Sequence, residues 1–317
     1  MSSFIKIVDL VKTFRGRGFG AAGKLSFTAV DRVNLNIEKN TIFGLVGESG
    51  CGKTTLSRAL LFLDPPTSGE INIGGTDLGK LSSRRLREFR RKVQIVFQDP
   101  NSALNPKMSI ENSIKEGLNN IGYEKRLVNT RVDELLNLVG ITPSHKSRYP
   151  HEFSGGQKQR VVIARALSVE PDFLILDEPV SNLDVSIQAQ IINLLLELKD
   201  KLSLTFLFIS HDLNLVSYLS DRIAVMYKGQ IVETAPAEII MEKPIHPYTL
   251  KLFSSIPGLS PIDEESGEEV FHVEKEGYSK GLPDGRVFYL SEQDKAPEML
   301  EIAEGHFVAC YNSILPV

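Results

Sequence analysis

The chain has 317 residues, 42% of them hydrophobic and 24% charged, with a formal net charge of −4. That length accommodates one large domain or two modest ones of ordinary soluble composition, and the weakly acidic balance gives no support to a nucleic-acid-binding surface. Two cysteines, Cys51 and Cys310, are too few for a disulfide framework and fit a reducing compartment.

The opening residues lack the long apolar core of a secretory signal. No stretch approaches the roughly 20 apolar residues of a membrane span, so work at a membrane is expected to need another chain as anchor. Residues 4–10 and 33–37 alternate apolar with polar, as half-exposed strands do. Residues 41–46 are an apolar run that ends in a glycine-rich turn. A helix is predicted to start at Lys53, to carry Leu56, Ala59, Leu60 and Leu63, and to stop at Asp64-Pro65-Pro66. The basic run RRLREFRRK (84–92) has the charge of a phospholipid or nucleic-acid patch. Leu86 and Phe89 nevertheless give it a helical apolar stripe, and a solvated helix face is the better reading.

Residues 93–97, 173–176 and 206–209 read as core strands with both faces apolar. Between Gln98 and Arg165 the texture changes: 110–118 and 131–139 have helical spacing, which predicts a helical insertion (about 99–165) between sheet strands. Residues 222–234 read as a hairpin turning at Lys228-Gly229-Gln230. Beyond Pro244 lie an acidic linker (262–269) and a tail, 270–317, with strands expected at 286–290 and 306–310. This order predicts an α/β fold with a mainly parallel core sheet.

GESGCGKT, residues 47–54, satisfies G-x-x-x-x-G-K-[ST]. Glycines admit positive φ and close backbone approach, so successive N–H groups form an anion nest at a helix N-terminus. Gly47, Glu48, Ser49, Gly50, Cys51, Gly52, Lys53, Thr54 and Thr55 are the expected phosphate-binding set. Lys53 is expected to reach the β- and γ-phosphates of ATP, and Thr54 to offer its hydroxyl to Mg²⁺. Cys51 sits at a wildcard position and reads as a small filler rather than a redox switch.

The run FLILDE (173–178) ends in two carboxylates. Asp177 is expected in the Mg²⁺ shell and Glu178 as the base that orients and deprotonates the attacking water. Gln98, after the strand at 93–97, suits an amide sensing metal and γ-phosphate. His211, after the strand at 205–210, suits an imidazole touching the γ-phosphate and the water.

FSGGQKQR (153–160) resembles the signature of ATP-binding-cassette (ABC) ATPases, usually LSGGQ, with Phe153 in place of Leu. Ser154 is expected to N-cap a helix through Val161, Ile163 and Ala164. The resemblance implies that Ser154, Gly155, Gly156 and Gln157 act on the γ-phosphate of ATP bound to an opposite subunit. It also makes Phe14 the aromatic that stacks on adenine, and Ser181-Asn182-Leu183-Asp184 the D-loop crossing the dimer interface. The likeness covers 4–235, implying a P-loop ABC ATPase domain (1–243) with an antiparallel β subdomain.

KPIHPYTLKLFSSIP (243–257), VGESGCGKT, FQDPNSALNP, SRYPHEFSGGQ and GHFVACY (305–311) are similar to oligopeptide/dipeptide-type importers, a clade that also carries nickel and some oligosaccharides. The resemblance implies an extension (244–317), ATP and Mg²⁺, and the second-ATPase type of subunit on the cytoplasmic face of a membrane. Its partners would be a different ATPase chain, two transmembrane permease subunits and, indirectly, an extracytoplasmic solute-binding protein, with no nucleic acid. Many members of that clade place several cysteines in the tail to hold an iron–sulfur cluster; with only Cys310 here, no cluster is expected. His246 and Tyr248 read as packed residues remote from the nucleotide motifs. The alternative is a soluble ABC ATPase or a nucleotide-gated regulator not coupled to transport.

Overall fold

The strand β1 (Ile5–Arg15) and the strand β2 (Ser26–Ile37) pair antiparallel, Ile5 opposite Ile37 and Phe14 opposite Phe27. The computed structural model describes residues 3–15, 26–254 and 298–310, so the expected linker at 262–269 and strand at 286–290 lie outside the described residues. Backbone packing divides the chain into two units. The first comprises Phe4–Ile37, Ile42–Gly75 and Ser210–Val317, and the second Met1–Ser3, Glu38–Thr41 and Thr76–Ile209.

In the first unit, β3 (Ile42–Val46) is wholly buried and leads through the glycine-rich turn into α1 (Lys53–Leu60). The helix stops before the expected Leu63. Phe62 adopts a left-handed φ of 53°, the Leu63 N–H donates to Arg58 O at 3.0 Å and the Phe62 N–H to Ala59 O at 2.8 Å. This is a Schellman closure that ends the helix ahead of the prolines and leaves Leu63 44% exposed. Strand β4 (Ser68–Ile73) then pairs antiparallel with β1.

The second unit holds β5 (Thr76–Asp77), α2 (Ser83–Phe89), β6 (Val93–Val96), α3 (Pro100–Ala103), α4 (Ile110–Asn120), α5 (Val128–Leu138), α6 (Gly155–Leu167), β7 (Phe173–Asp177), α7 (Val185–Leu202) and β8 (Thr205–Ser210). β6, β7 and β8 are parallel, with Val93 beside Phe173 and Phe173 beside Thr205. β7 and β8 are buried throughout, as strands covered on both faces must be. β6 departs from that expectation: as the outer strand of the three, it leaves Gln94 and Ile95 half-buried. α3, α4 and α5 pack on α6.

The chain then returns to the first unit with α8 (Leu213–Leu219), β9 (Arg222–Tyr227), β10 (Gln230–Pro236), α9 (Ala237–Glu242), α10 (Pro247–Ser254), β11 (Glu298–Ala303) and β12 (His306–Cys310). β9 lies parallel to β3, and β9, β10, β12 and β11 follow one another antiparallel. A Cβ on Gly44 would stand 2.4 Å from Val216 Cγ1, so α8 can press this closely on β3 only over a glycine. The strand expected at 306–310 is β12, and Cys310 at its end is buried beside Val308, Ile245, Leu300 and Ile302.

Candidate functional site

In the first unit the glycine-rich turn wraps the N-terminus of α1. Gly52 caps the helix at φ 116° with no side-chain hydrogen bond, so the first N–H groups carry no side-chain cap and remain suited to an anion. A Cβ on Gly47 would meet Met226 O at 2.2 Å and one on Gly52 would meet Ala29 O at 2.2 Å; Gly50 sits at φ +82°. At Gly47 and Gly52 only glycine fits, which is the physical content of the sequence pattern, whereas Gly50 has open space and favours glycine through its φ alone. Glu48, Ser49 and Gly50 are exposed along the loop, Thr54 is exposed on the first helical turn, and Thr55 is half-buried. The buried Lys53 ammonium donates to Gly47 O at 2.7 Å and Glu48 O at 3.0 Å.

Cys51 is buried beneath the loop, and its Sγ would lie 2.8 Å from a Cβ on Gly47. Burial pushes its thiol pKa up, only partly countered by Lys53, so the thiol form is favoured and a filler role fits.

Two contacts from distant sequence fasten the loop. The Gly229 N–H in the β9–β10 turn donates to Cys51 O at 2.8 Å. The Glu48 N–H donates to the Tyr248 hydroxyl on α10 at 2.9 Å. Tyr248 is fully buried, as expected of a packed residue, but it is not remote from the nucleotide motifs: the tertiary fold closes a separation of 200 residues. A cleft of about 450 Å³ flanks the loop, lined by Phe27, Ala29, Ser49, Gly50 and Tyr227 among others. Phe14, the expected adenine platform, is 41% exposed opposite a 63% exposed Phe27. Phe27 belongs to no motif; its signal was an aromatic register partner that only pairing reveals. His211, just after β8, is exposed.

In the second unit the acidic pair sits at the carboxyl end of β7, where ligands bind in parallel sheets. Asp177 is 5% exposed. Glu178 adopts φ 49°, a left-handed conformation costly for a non-glycine residue and typical of functional positions. Its N–H donates to Ile209 O at 2.9 Å. The Gln98 amide donates to Glu178 Oε2 at 3.2 Å and to Ser181 Oγ at 3.1 Å. The structure therefore brings Gln98 onto the expected base itself, a grouping that strand order alone did not specify.

The signature turn, 154–157, forms a closed capping box. The Gln157 N–H donates to Ser154 Oγ at 3.3 Å and the Ser154 N–H to Gln157 Oε1 at 3.0 Å. A Cβ on Gly156 would lie 2.5 Å from Ile187 Cγ2, and one on Gly155 3.3 Å from Leu183 Cδ2. These glycines let the turn sit on the start of α7, where Asp184 is exposed as the N-cap residue. Phe153 is 5% exposed, with its ring edge-on to His145 at 6.4 Å, so the larger side chain in place of leucine is accommodated by burial.

No helix among the described residues is long and apolar enough to cross a membrane. The loop that only glycines can form and the exposed Thr54 hydroxyl fit a nucleotide's phosphates, and the buried Asp177 carboxylate fits Mg²⁺, which usually takes only one or two protein ligands beside phosphates and water.

The ABC transporter family model matches residues 30–181, and that of the oligopeptide/dipeptide transporter, C-terminal region, matches 232–281. The oligopeptide transport ATP-binding protein OppF of Bacillus subtilis is 47% identical over 89% of this chain and 90% of its own length. This chain belongs to the ABC transporter ATPase family. Within it, the dipeptide transport ATP-binding protein DppF of Lactococcus lactis subsp. cremoris is 45% identical over 96% of this ABC ATPase and 93% of its own length. Solved ABC ATPases share the fold. The dimeric, post-hydrolysis ATP-binding cassette MJ0796 bound to ADP and Pi gives a TM-score of 0.64 at 28% identity, covering 74% of this chain and 98% of that one. CbiO1 of Clostridium perfringens, part of the cbiONQ ABC transporter complex, gives 0.66 at 28% identity, covering 80% and 95%. Membership makes this ABC ATPase an ATP hydrolase coupled to transport and disfavours the reading as a soluble ATPase or nucleotide-gated regulator.

Proposed function

We propose that this ABC ATPase powers import of oligopeptides or dipeptides. The observation that carries this is the match of residues 232–281 to the oligopeptide/dipeptide transporter C-terminal region; the names of its relatives agree. In this reading residues 1–243 form the ATPase domain and 244–317 the importer-type extension. The chain works at the cytoplasmic face of a membrane beneath two permease subunits, fed by an extracytoplasmic binding protein. It closes with a different ATPase subunit over two ATP molecules, and ATP stabilises the closed pair because it contacts both subunits only there.

Each residue role follows from local chemistry. The N–H groups of residues 47–54 hold the phosphates, and Lys53 exchanges its two carbonyl partners for the β- and γ-phosphates. Thr54, Asp177 and Gln98 are the residues that would hold Mg²⁺, and the ion would neutralise charge on the phosphate oxygens. Glu178 takes the proton of the attacking water, and the Gln98 amide keeps that carboxylate aimed. His211 contacts the γ-phosphate and the water. Phe14 stacks on adenine, with Phe27 alongside. The signature turn completes the partner's site through the N-terminal dipole of α6, and Asp184, at the start of α7, adds a further contact there.

Glu178→Gln preserves shape and removes the base. Hydrolysis by the assembled transporter should fall by about 100-fold or more while ATP binding persists; unchanged turnover would reject the assignment. Deleting the gene should abolish uptake of a labelled dipeptide or tripeptide. Intact peptide uptake with loss of nickel or oligosaccharide uptake would reassign the cargo. Purification of a working transporter containing this ATPase chain alone would reject the heterodimer.

A further inference from the structure

We propose that the C-terminal extension positions the phosphate-binding loop, with Tyr248 on α10 as the positioning residue for ATP binding. This rests on the reading of residues 47–54 as the ATP site.

Both peptide groups of Glu48 are engaged. Its N–H donates to the Tyr248 hydroxyl at 2.9 Å, and its carbonyl accepts from Lys53 at 3.0 Å. Its carboxylate lies 3.9 Å from Lys251, one helical turn beyond Tyr248 on the same helix. When Lys53 turns to the phosphates, Glu48 loses the Lys53 contact. Tyr248 then holds the near end of the loop, while the Gly229 N–H holds Cys51 at the far end. A nest whose N–H groups must converge on an anion binds best when its backbone is ordered beforehand, because ordering then no longer opposes binding.

The helix that carries Tyr248 is itself fixed. Glu233 on β10 is fully buried and accepts from the Ile245 N–H at 2.9 Å and the His246 N–H at 3.0 Å, the two residues just before α10. Its Oε1 also lies 2.7 Å from His306 Nε2 on β12. The Tyr248 N–H donates to His246 Nδ1 at 3.2 Å. Tyr248 packs on Tyr227 with the ring planes tilted by 33° and 4.2 Å between ring centres, and Tyr227 lines the cleft beside the loop. Burial raises the phenol's pKa, so the hydroxyl stays neutral across the physiological range. One buried carboxylate thus ties the extension to β10, and one buried hydroxyl carries that order to the loop.

Tyr248→Phe keeps the ring and deletes only the hydroxyl. In the purified full-length chain, the Kd for a fluorescent ATP analogue should rise about threefold to tenfold, the scale of one net hydrogen bond. In the assembled transporter, KM for ATP should rise by the same factor with kcat within about twofold. Without nucleotide, exchange of the Glu48 amide hydrogen should accelerate while amides within α10 keep their protection. A merely structural role would lower thermal stability and loosen α10 without this split. Unchanged Kd and unchanged Glu48 exchange would overturn the proposal, as would a fall in kcat at constant KM. Failure of the wild-type chain to bind ATP would instead reject the ATP reading, and the exchange measurement would still decide the tail's hold on the loop.

Discussion

At the phosphate-binding loop, Cys51 O is held by Gly229 and the Glu48 N–H by Tyr248, residues far along the chain. At the signature turn, Ser154 and Gln157 hold each other across three residues. Both are glycine-rich turns opening a helix, and both are proposed phosphate sites. One is a local structure that its own sequence closes; the other is a local sequence closed by tertiary partners. The backbone conformations agree with this: Gly52 caps α1 left-handed without a side-chain partner, whereas Ser154 caps α6 with ordinary extended dihedrals and a reciprocal bond. A self-closed turn can be presented to a partner subunit as a unit. A loop braced from outside can be tuned by whatever braces it.

The largest expected effect breaks the braced loop. Gly52→Ala places a Cβ 2.2 Å from Ala29 O at a φ of +116°, where neither backbone nor neighbour can yield cheaply. ATP binding should fall by more than about 100-fold, since a displaced nest loses several charge-assisted hydrogen bonds, measured by titration with a fluorescent ATP analogue. Unaltered affinity would show that the loop tolerates slack and would remove the contrast.

A smaller effect sharpens the other side. Ser154→Ala removes the cap and should lower stability by about 1 kcal/mol, read as a shift in the chemical-denaturation midpoint. ATP affinity of the isolated chain should not change, because this turn is read as serving the nucleotide of the opposite subunit. Weakened binding by the lone chain would count against that assignment.

The smallest effect concerns the filler under the loop. Because burial raises the Cys51 pKa, its thiolate fraction at neutral pH lies below that of an ordinary cysteine with a pKa of about 8.5. Alkylation of the native chain should be slow at pH 7–8 and rise only at higher pH. The stability attached to this shift is full below the unfolded pKa and is lost as pH climbs through the folded one. Rapid labelling of Cys51 at pH 7, located by peptide mass mapping, would contradict the burial argument.

Much of the fold was legible where one segment carries its own reason. Wholly apolar runs became β3, β7 and β8, Ser154 capped α6, and the hairpin turned at Lys228 and Gly229. Where neighbours decide, the local pattern is not enough. The apolar spacing places Leu63 on α1, but Phe62 closes that helix first. The apolar run at 93–97 predicts burial on both faces, but the outer position of β6 leaves Gln94 and Ile95 half-buried. In the candidate site, residue types and spacing pointed to Lys53, Asp177, Glu178 and Gln98 individually. They did not reveal the Gln98–Glu178 contact or the exposed Phe27 opposite Phe14.

The sequence by itself determined the chemistry: glycines at positions where a Cβ cannot fit, a lysine and hydroxyl at a helix start, two carboxylates at a strand end, and a self-capping signature. These are short-range requirements, met within a few residues, so they leave a pattern in the chain. Only the tertiary structure decided that a buried carboxylate on β10 holds the C-terminal helix and that this helix places a tyrosine hydroxyl on the phosphate-binding loop. Those contacts join residues whose types are individually unremarkable, and no periodicity records a hydrogen bond spanning 200 residues.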